Sequence, residues 1–545
     1  MGRVGVVKAN NSSRTGDTLN PFVAQHQTEV IGLLSGFDRL RFKGCLPQLY
    51  WPQTMEAYLN VKGLLFKEFK EFALDLTERI KAASLRIAEL AGRPFRYLPS
   101  CLTRKETLAR EWIQKDQLEE GLIGVFGCVE PCRTYFLCGN RQTKRLEFKI
   151  QTGKCQHFYF YYLHREFGLM HLRLQSWFPF VVQICLNGRE WLRRQLDLYQ
   201  MSYAKKENCF TALSHVAGAQ RLMDKQLEID WPQKLNEILR QNHPLAPEIC
   251  QPLGLQYFWS AEESEYATDV MFKSPKPLQE IYPLLVRHAI TSFSSAEVMR
   301  FLGHRVAAHG KVRGSFEGEI VSDLKQRPEG LRVKHSLNAN SIKMYDKQGS
   351  VLRVETTINR TRDFRVYREK QTGPHGRSKS DGKKAWRILR RGVVDLKRRA
   401  EVSRAANLRY LSALSATAGK IPLFQWAEEV CKPLRRDGRA VRALNPWSPE
   451  DAALLQAINR GEFKINGFRN RDIRALLFKA KTNAPEQKRQ AAAVTRKFGL
   501  LRAHGLIKKI ASTHRYLLTE KGSATITALL SARQANVNEL TKLAA

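Results

Sequence analysis

Residues 331–359 read LRVKHSLNANSIKMYDKQGSVLRVETTIN. Three alternating apolar and polar runs are separated by Asn338-Ala339-Asn340 and Lys347-Gln348-Gly349, which are turn material. A period of two with turns between the runs predicts a three-stranded antiparallel meander. Alternation places Ile342, Met344, Leu352, Val354 and Ile358 on one face, where they supply a core. The opposite face then carries Arg332, Lys334, Lys343, Tyr345, Arg353, Glu355 and Thr357. A sheet apolar on one side and charged on the other sets the expectation for the chain. It is an α+β, multidomain protein with antiparallel-sheet modules and helices.

Working outward, the meander closes a unit spanning 251–359, with strands at LQYFWS (255–260), YATDVMF (266–272) and 319–325, and a helix near 276–303. An earlier antiparallel α+β module spans 131–250. Its strands are RTYFL (133–137), RLEFKI (145–150), HFYFYYLH (157–164) and LMHLRLQSWFPFVVQICL (169–186), and a helix lies near 188–200. The two stretches read as possible relatives, without a sequence repeat strong enough to claim it. In HFYFYYLH, Phe158, Phe160 and Tyr162 share one face and Tyr159, Tyr161 and Leu163 the other. One face is core; the other either stacks bases or lies under a neighbouring helix.

Residues 21–130 read as a mostly helical region. Phe69, Phe72, Leu76, Ile80, Ala83, Ile87 and Leu90 recur at helical spacing, and Gly92 and Pro94 end the stripe. Before it, SGFDRLRFKG (35–44) reads as a short strand. Its Asp38 is either a first-strand acid or a surface ion pair with Arg39 and Arg41. Residues 1–20 are a polar arm. Residues 360–445 are a basic linker with helices, in which GPHGRSKSDGKK (373–384) has the composition of a flexible loop.

The chain of 545 residues holds 90 Lys plus Arg against 52 Asp plus Glu, a formal net charge of +38. With 43% apolar residues it buries real cores, so a disordered polycation is excluded. Such an excess ordinarily neutralises a polyanion and releases its counterions, which points to nucleic acid over a membrane surface. DNA is the expected partner and RNA the alternative. The start lacks the apolar core of a signal peptide, and the longest apolar runs are too short to span a bilayer. Ten cysteines without regular spacing suit reduced thiols, and the expected location is cytoplasmic.

The C-terminal stretch 446–545 has its own pattern. SPEDAALLQAINRG (448–461) is a helix capped by Ser448, NRDIRALLF (470–478) a second, and a third carries Ala491, Val494, Phe498 and Leu501 at helical spacing. HGLI (504–507) and KKIASTHRYLLT (508–519) then form a hairpin before a last helix. A helix, "GLI", a basic wing and "LT..G" resemble the winged-helix domains of MarR- and ArsR-type regulators over roughly 80 residues. That resemblance implies that the third helix enters a DNA groove and the wing touches backbone. Arg489, Arg496 and Arg502 on the helix, with Lys508, Lys509, His514 and Arg515 on the wing, become candidate contacts. Arg332, Lys334 and Lys343 on the sheet and Arg390, Arg391 and Arg398 in the basic segment join them.

For chemistry, Asp323, Asp346 and Glu355 are the acids of the central sheet. A carboxylate among cations suits a metal for phosphodiester cleavage, whereas pairing of Glu355 with Arg353 or Lys343 is the plainer reading. KMYDK followed by LRVE (343–355) resembles a hairpin in the nicking domain of rolling-circle replication initiators of filamentous phages and related plasmids. The resemblance implies a tyrosine nucleophile, for which Tyr345 and Tyr367 are available, and a divalent metal (Mg or Mn) held by a His-apolar-His pair. This chain departs from the pattern: His304 and His309 are five apart and His335 stands alone. The candidate catalytic set is therefore Glu355, Asp346 and Tyr345.

Cys128, Cys132, Cys138, Cys155 and His157 fall within thirty residues. Cys128-x3-Cys132 is tolerable for zinc and Cys155-x-His157 is not a usual pair, so ordinary thiols are the competing account. The functional expectation is a DNA-binding replication-initiation or recombination protein of a mobile element, phage or plasmid. A non-catalytic RNA coat and a large transcriptional regulator are the alternatives.

Overall fold

The structure is a computed structural model that describes residues 20–304, 318–327, 330–371, 380–415, 423–436, 439–460, 462–463, 467–479, 483–510 and 513–535. The expected N-terminal arm before residue 20, His309 and most of the 373–384 loop lie outside the described residues.

The strands are β1 (Val30–Cys45), β2 (Phe95–Tyr97), β3 (Gly121–Asn140), β4 (Arg145–His164), β5 (Gly168–Gln175), β6 (Val182–Asn187), β7 (Tyr203–Lys206), β8 (Cys209–Leu213) and β9 (Phe258–Phe272). They continue as β10 (Ile320–Arg327), β11 (Gly330–Leu337), β12 (Asn340–Lys347), β13 (Val351–Ile358), β14 (Arg365–Gln371) and β15 (Ser380–Ile388). Eleven of them make one sheet in the order β10-β11-β12-β13-β9-β1-β6-β5-β4-β3-β2. β1 and β9 pair antiparallel at its centre, and only β2 joins in parallel.

Each side of that centre repeats one connectivity. A long inner strand leads through helices to the far edge, and a four-stranded meander then returns until its last strand pairs with the first. The two units suspected from sequence thus share an order of elements, and they meet in one sheet. The 21–130 region supplies helices Pro52–Val61, Phe69–Leu90 and Lys105–Asp116, but its SGFDRLRFKG segment lies in a 16-residue central strand. β1 carries irregularities at Val30/Gly32, Phe37/Arg39 and Arg41/Phe42, which bend and twist a strand. A Cβ on Gly36 would sit 2.1 Å from the Met223 side chain, so any larger residue there displaces that methionine.

Helices pack on both faces of the sheet, and the long helix Leu396–Leu414 lies across one of them. Phe37, Leu40, Phe42, Phe158, Phe160, Leu172 and Ile184 pack with the helices around Leu76, Trp191 and Trp231. Val333, Ile342, Met344, Leu352, Val354 and Ile358 pack under Leu285, Tyr410 and Leu411. The helix Leu396–Leu414 spans both cores, with Leu396 and Ala400 in the first and Tyr410 and Leu414 in the second. At the sheet's outer edge, Tyr159 and Tyr161 lie beneath the helix Lys105–Asp116, where Trp112 stacks on Phe126 at 4.7 Å. The aromatic strand therefore covers a helix on its second face and offers no base-stacking platform.

The basic segment after 360 is built into the fold. β14 and β15 form a hairpin, and Arg399 is fully buried, donating to the Ala261 and Ile358 carbonyls. Residues 449–534 form a separate core around Leu455, Ile473, Val494, Phe498, Leu501 and Ile526. There the order is helix Pro449–Ile458, a two-residue strand at Phe468–Arg469, helices Asn470–Leu477 and Ala484–Ala503, a hairpin of Ile507–Lys509 and Arg515–Leu518, and helix Glu520–Gln534. The short strand pairs with the returning hairpin strand, giving three antiparallel strands. The fold is mixed α+β and multidomain. No helix among the described residues is long and apolar enough to cross a membrane.

Candidate nucleic-acid interface

The face of the sheet opposite the helix Leu396–Leu414 carries the charge. Because register is continuous, its side chains fall in rows across strands. One row runs Asp269, Arg353, Tyr345, Arg332, Lys325 from β9 to β10. The next runs Ala267, Glu355, Lys343, Lys334, Asp323, and a third joins Arg39 to Glu265 and Thr357. The alternation read in 331–359 is correct at every one of these positions.

At the inner end, Arg353 is 1% exposed and donates from Nε and Nη2 to Asp269 at 2.6 and 2.9 Å. It also donates to Asp38 at 3.1 Å and to the Asn208 carbonyl on β8's hairpin turn at 2.9 Å. Arg189, wholly buried, adds a contact to Asp269 at 3.0 Å. Asp38 is thus neither a surface ion pair nor an isolated acid. Burial raises its pKa, and Arg353 opposes that rise.

Glu355, 1% exposed, accepts from Lys343 Nζ at 2.6 Å and from the Tyr345 hydroxyl at 2.8 Å. Burial alone would raise its pKa; Lys343, Arg353 and the Tyr345 hydroxyl together offset this and hold the carboxyl ionised, below its ordinary value. Burial works against the Lys343 charge too, but Glu355 and Glu265 hold its pKa above the usual lysine value. The Tyr345 phenol is pushed well above its usual value by burial and by Glu355. Glu355 therefore makes the cross-strand pair with Lys343 that the plainer reading foresaw. In this geometry the Tyr345 hydroxyl donates to Glu355, and the raised phenol and lowered carboxyl keep the proton on Tyr345.

Asp346 does not join this group. It follows Tyr345 and so points to the other face, where its carboxylate accepts from Gly349 N at 3.0 Å and shapes the turn. Asp323 sits near the β10 edge, 3.1 Å from Lys325. The expected acids are thus not assembled into one metal-binding set. Tyr367 lies on the β14–β15 hairpin against Trp386, remote in register from Glu355. His335 turns to the helix face, bonded to Ser322 and Tyr410.

Cations outnumber acids toward β10–β12. Lys334 has Lys343 and Arg332 beside it, and burial together with those neighbours lowers its pKa. An anion laid on this face would relieve that repulsion. In the basic segment, Arg390 and Arg398 both hold the buried carboxylate of Asp395, at 3.1 and 3.0 Å, so they brace the fold and are not free phosphate ligands. Arg391 is exposed.

The C-terminal unit also presents exposed cations. On the helix Ala484–Ala503 the core stripe is Val494, Phe498 and Leu501, and at 100° per residue Arg489 and Arg496 point directly away from it. Arg489, Arg496 and Arg502 are exposed, and none of them joins an ion pair among the described residues. Lys508, Lys509 and His514 are exposed on the hairpin, and Arg515 is half-buried there.

Sequence reasoning missed a second carboxylate centre. Glu130, on β3, accepts from Lys105 at 3.1 Å, Tyr159 at 2.8 Å, Arg173 at 3.1 Å and the Cys128 thiol at 3.1 Å. Burial would raise its pKa, yet these donors pull it down to about 2. Its partners come from four separate stretches of chain, so no local motif marks it. No protein-family model matches this chain, and neither a curated protein nor a solved structure does.

Proposed function

We propose that this chain binds DNA as a replication-initiation or recombination protein of a mobile element, phage or plasmid. In this reading the C-terminal unit is a winged helix that selects a site, and the charged sheet face holds the adjoining strand. The observation that carries it is the exposed arc of Arg489 and Arg496 opposite the helix core, flanked by the Lys508-Lys509 hairpin. A positively charged helix face beside a basic hairpin matches groove and backbone geometry.

The test is duplex binding by the full chain at several salt concentrations. Each phosphate contact contributes a slope of about −0.9 in log K against log salt. Arg489→Ala with Arg496→Ala should weaken binding and reduce the slope by up to about 1.8 if both arginines meet phosphate. Where one reads a base edge, site preference falls instead. Tighter binding to an RNA hairpin than to DNA, unaffected by both changes, would replace this reading with the RNA coat. Cleavage makes a separate demand. With Mg or Mn present, it should vanish in Tyr345→Phe while duplex binding persists, and cleavage that survives removes this phenol from the chemistry.

A further inference from the structure

The β3–β4 pair brings together three soft ligands that the sequence leaves 23 and 25 residues apart. Cys132, Cys155 and His157 offer one ligand atom each, all within 4.8 Å of one another. Cys132 Sγ lies 3.1 Å from Cys155 Sγ, and Cys155 Sγ lies 4.0 Å from His157 Nδ1. His157 is 0% exposed; its Nδ1 bonds the Cys155 carbonyl at 3.1 Å, and its Nε2 has no partner among the described residues. With the proton on Nδ1 the Nε2 lone pair is buried without a partner, which is costly; ligation through Nδ1, 4.0 Å from Cys155 Sγ, would instead place the proton on Nε2. The other two residues of the expected group are elsewhere: Cys128 donates to Glu130, and Cys138 faces Glu147 further along the ladder.

We propose that Cys132, Cys155 and His157 form a three-ligand site for a zinc-like divalent cation, with solvent in the fourth position. Two thiolates and an imidazole suit zinc at bonds of about 2.3 Å to sulfur and 2.0–2.1 Å to nitrogen. Tetrahedral bonds of that length set the sulfurs roughly 3.8 Å apart, so the pair must open by about 0.7 Å. Cys132, which is only half-buried, has room to do so. The neighbouring polar groups are already engaged. Glu130 has its four donors, and the Gln175 amide, opposite His157, donates to the Arg133 and Trp177 carbonyls.

A disulfide is the rival use of two close sulfurs. Register argues against it: Cys132 pairs with Gly153 and Cys155 with Glu130, which makes the cysteines diagonal neighbours. Diagonal positions stand about 7–8 Å apart, beyond the usual disulfide span of roughly 4.4–6.8 Å.

The experiment strips the full-length protein with chelator under a non-thiol reductant and titrates Zn alone against a chromophoric competitor. Co is then substituted for its thiolate charge-transfer band. One equivalent should bind tightly. Cys132→Ser should weaken binding at least tenfold and lower the Co band, with Cys101→Ser, outside the cluster, as the unchanged control. His157→Gln should keep the band and shift the visible d–d spectrum. Binding of no equivalent, binding indifferent to Cys132→Ser, or loss of two hydrogens by mass on mild peroxide treatment without metal affinity would each overturn the site.

Discussion

Replacing Arg353 by Met keeps the length and apolar volume of the side chain while removing a charge shared by Asp269 and Asp38. In the native sheet Arg353 makes three contacts of 2.6, 2.9 and 3.1 Å to these two carboxylates. Asp269 is wholly buried and Asp38 nearly so. Taking one partner from a buried charge pair costs about 3–5 kcal/mol, because the remaining charge is stranded away from water. Arg189 stays beside Asp269 at 3.0 Å and limits the loss to the lower part of that range. For a large domain, about 2 °C per kcal/mol is appropriate, so the main thermal transition should fall by roughly 6–8 °C at pH 7. The pH dependence has a definite sign. Asp38 already has a raised pKa from burial, with Arg353 opposing the rise, so removing Arg353 raises it further. A carboxyl whose folded pKa lies above its unfolded value favours the folded state more as pH falls. The deficit of Arg353→Met should therefore shrink between pH 7 and pH 5. Calorimetry of both proteins across that range is the assay. A variant within 1 °C of the parent at pH 7, or a deficit that grows on acidification, would refute the stranded-carboxylate account.

Lys343→Met should destabilise the sheet by about 3 kcal/mol near neutral pH. Because Glu355 has a lowered folded pKa, the stability it contributes is present above the ordinary carboxylate value and lost as pH falls; denaturation of variant and parent should converge toward pH 3. His243 is fully buried, with neither ring nitrogen hydrogen-bonded among the described residues, and burial lowers its pKa to about 3. A depressed histidine stabilises the fold above pH 6.5 and loses that contribution toward pH 3, so His243→Leu should make the acid limb shallower by about one proton. In the C-terminal unit a Cβ on Gly522 would lie 2.1 Å from the Leu506 carbonyl oxygen. Gly522→Ala should cost roughly 1–3 kcal/mol, seen as faster hydrogen exchange in 449–534 with the eleven-stranded sheet unchanged.

Much of the fold was legible wherever periodicity was strong. The 331–359 meander, the split faces of HFYFYYLH and the helix, hairpin, helix order after residue 484 follow from local spacing alone. β3 was seen only from residue 133, although it begins at Gly121. Glycines 121, 124 and 127 hide the alternation, and Gly124 is there because the Trp112 ring occupies the space of a Cβ, 2.4 Å away. The predicted run 169–186 breaks into β5 and β6, with Pro179 in the bend between them. The basic segment was misjudged because charge count does not reveal burial: Arg399 and the Asp395 clamp hold a helix to the sheet.

By itself the sequence determined the mixed α+β class, the cationic excess, the charged face of 331–359 and the exposed arginines of the C-terminal helix. Each is a local property, since alternation and helical period act over a few residues. Only the tertiary structure decided that β1 and β9 meet at the middle of one sheet, bringing Asp38 to Arg353 across 315 residues. It likewise decided that Cys132 and Cys155 meet while Cys128 turns to Glu130. The first encounter depends on register between strands distant in the chain and the second on register along one long strand pair, and both registers are set by burial of whole faces together.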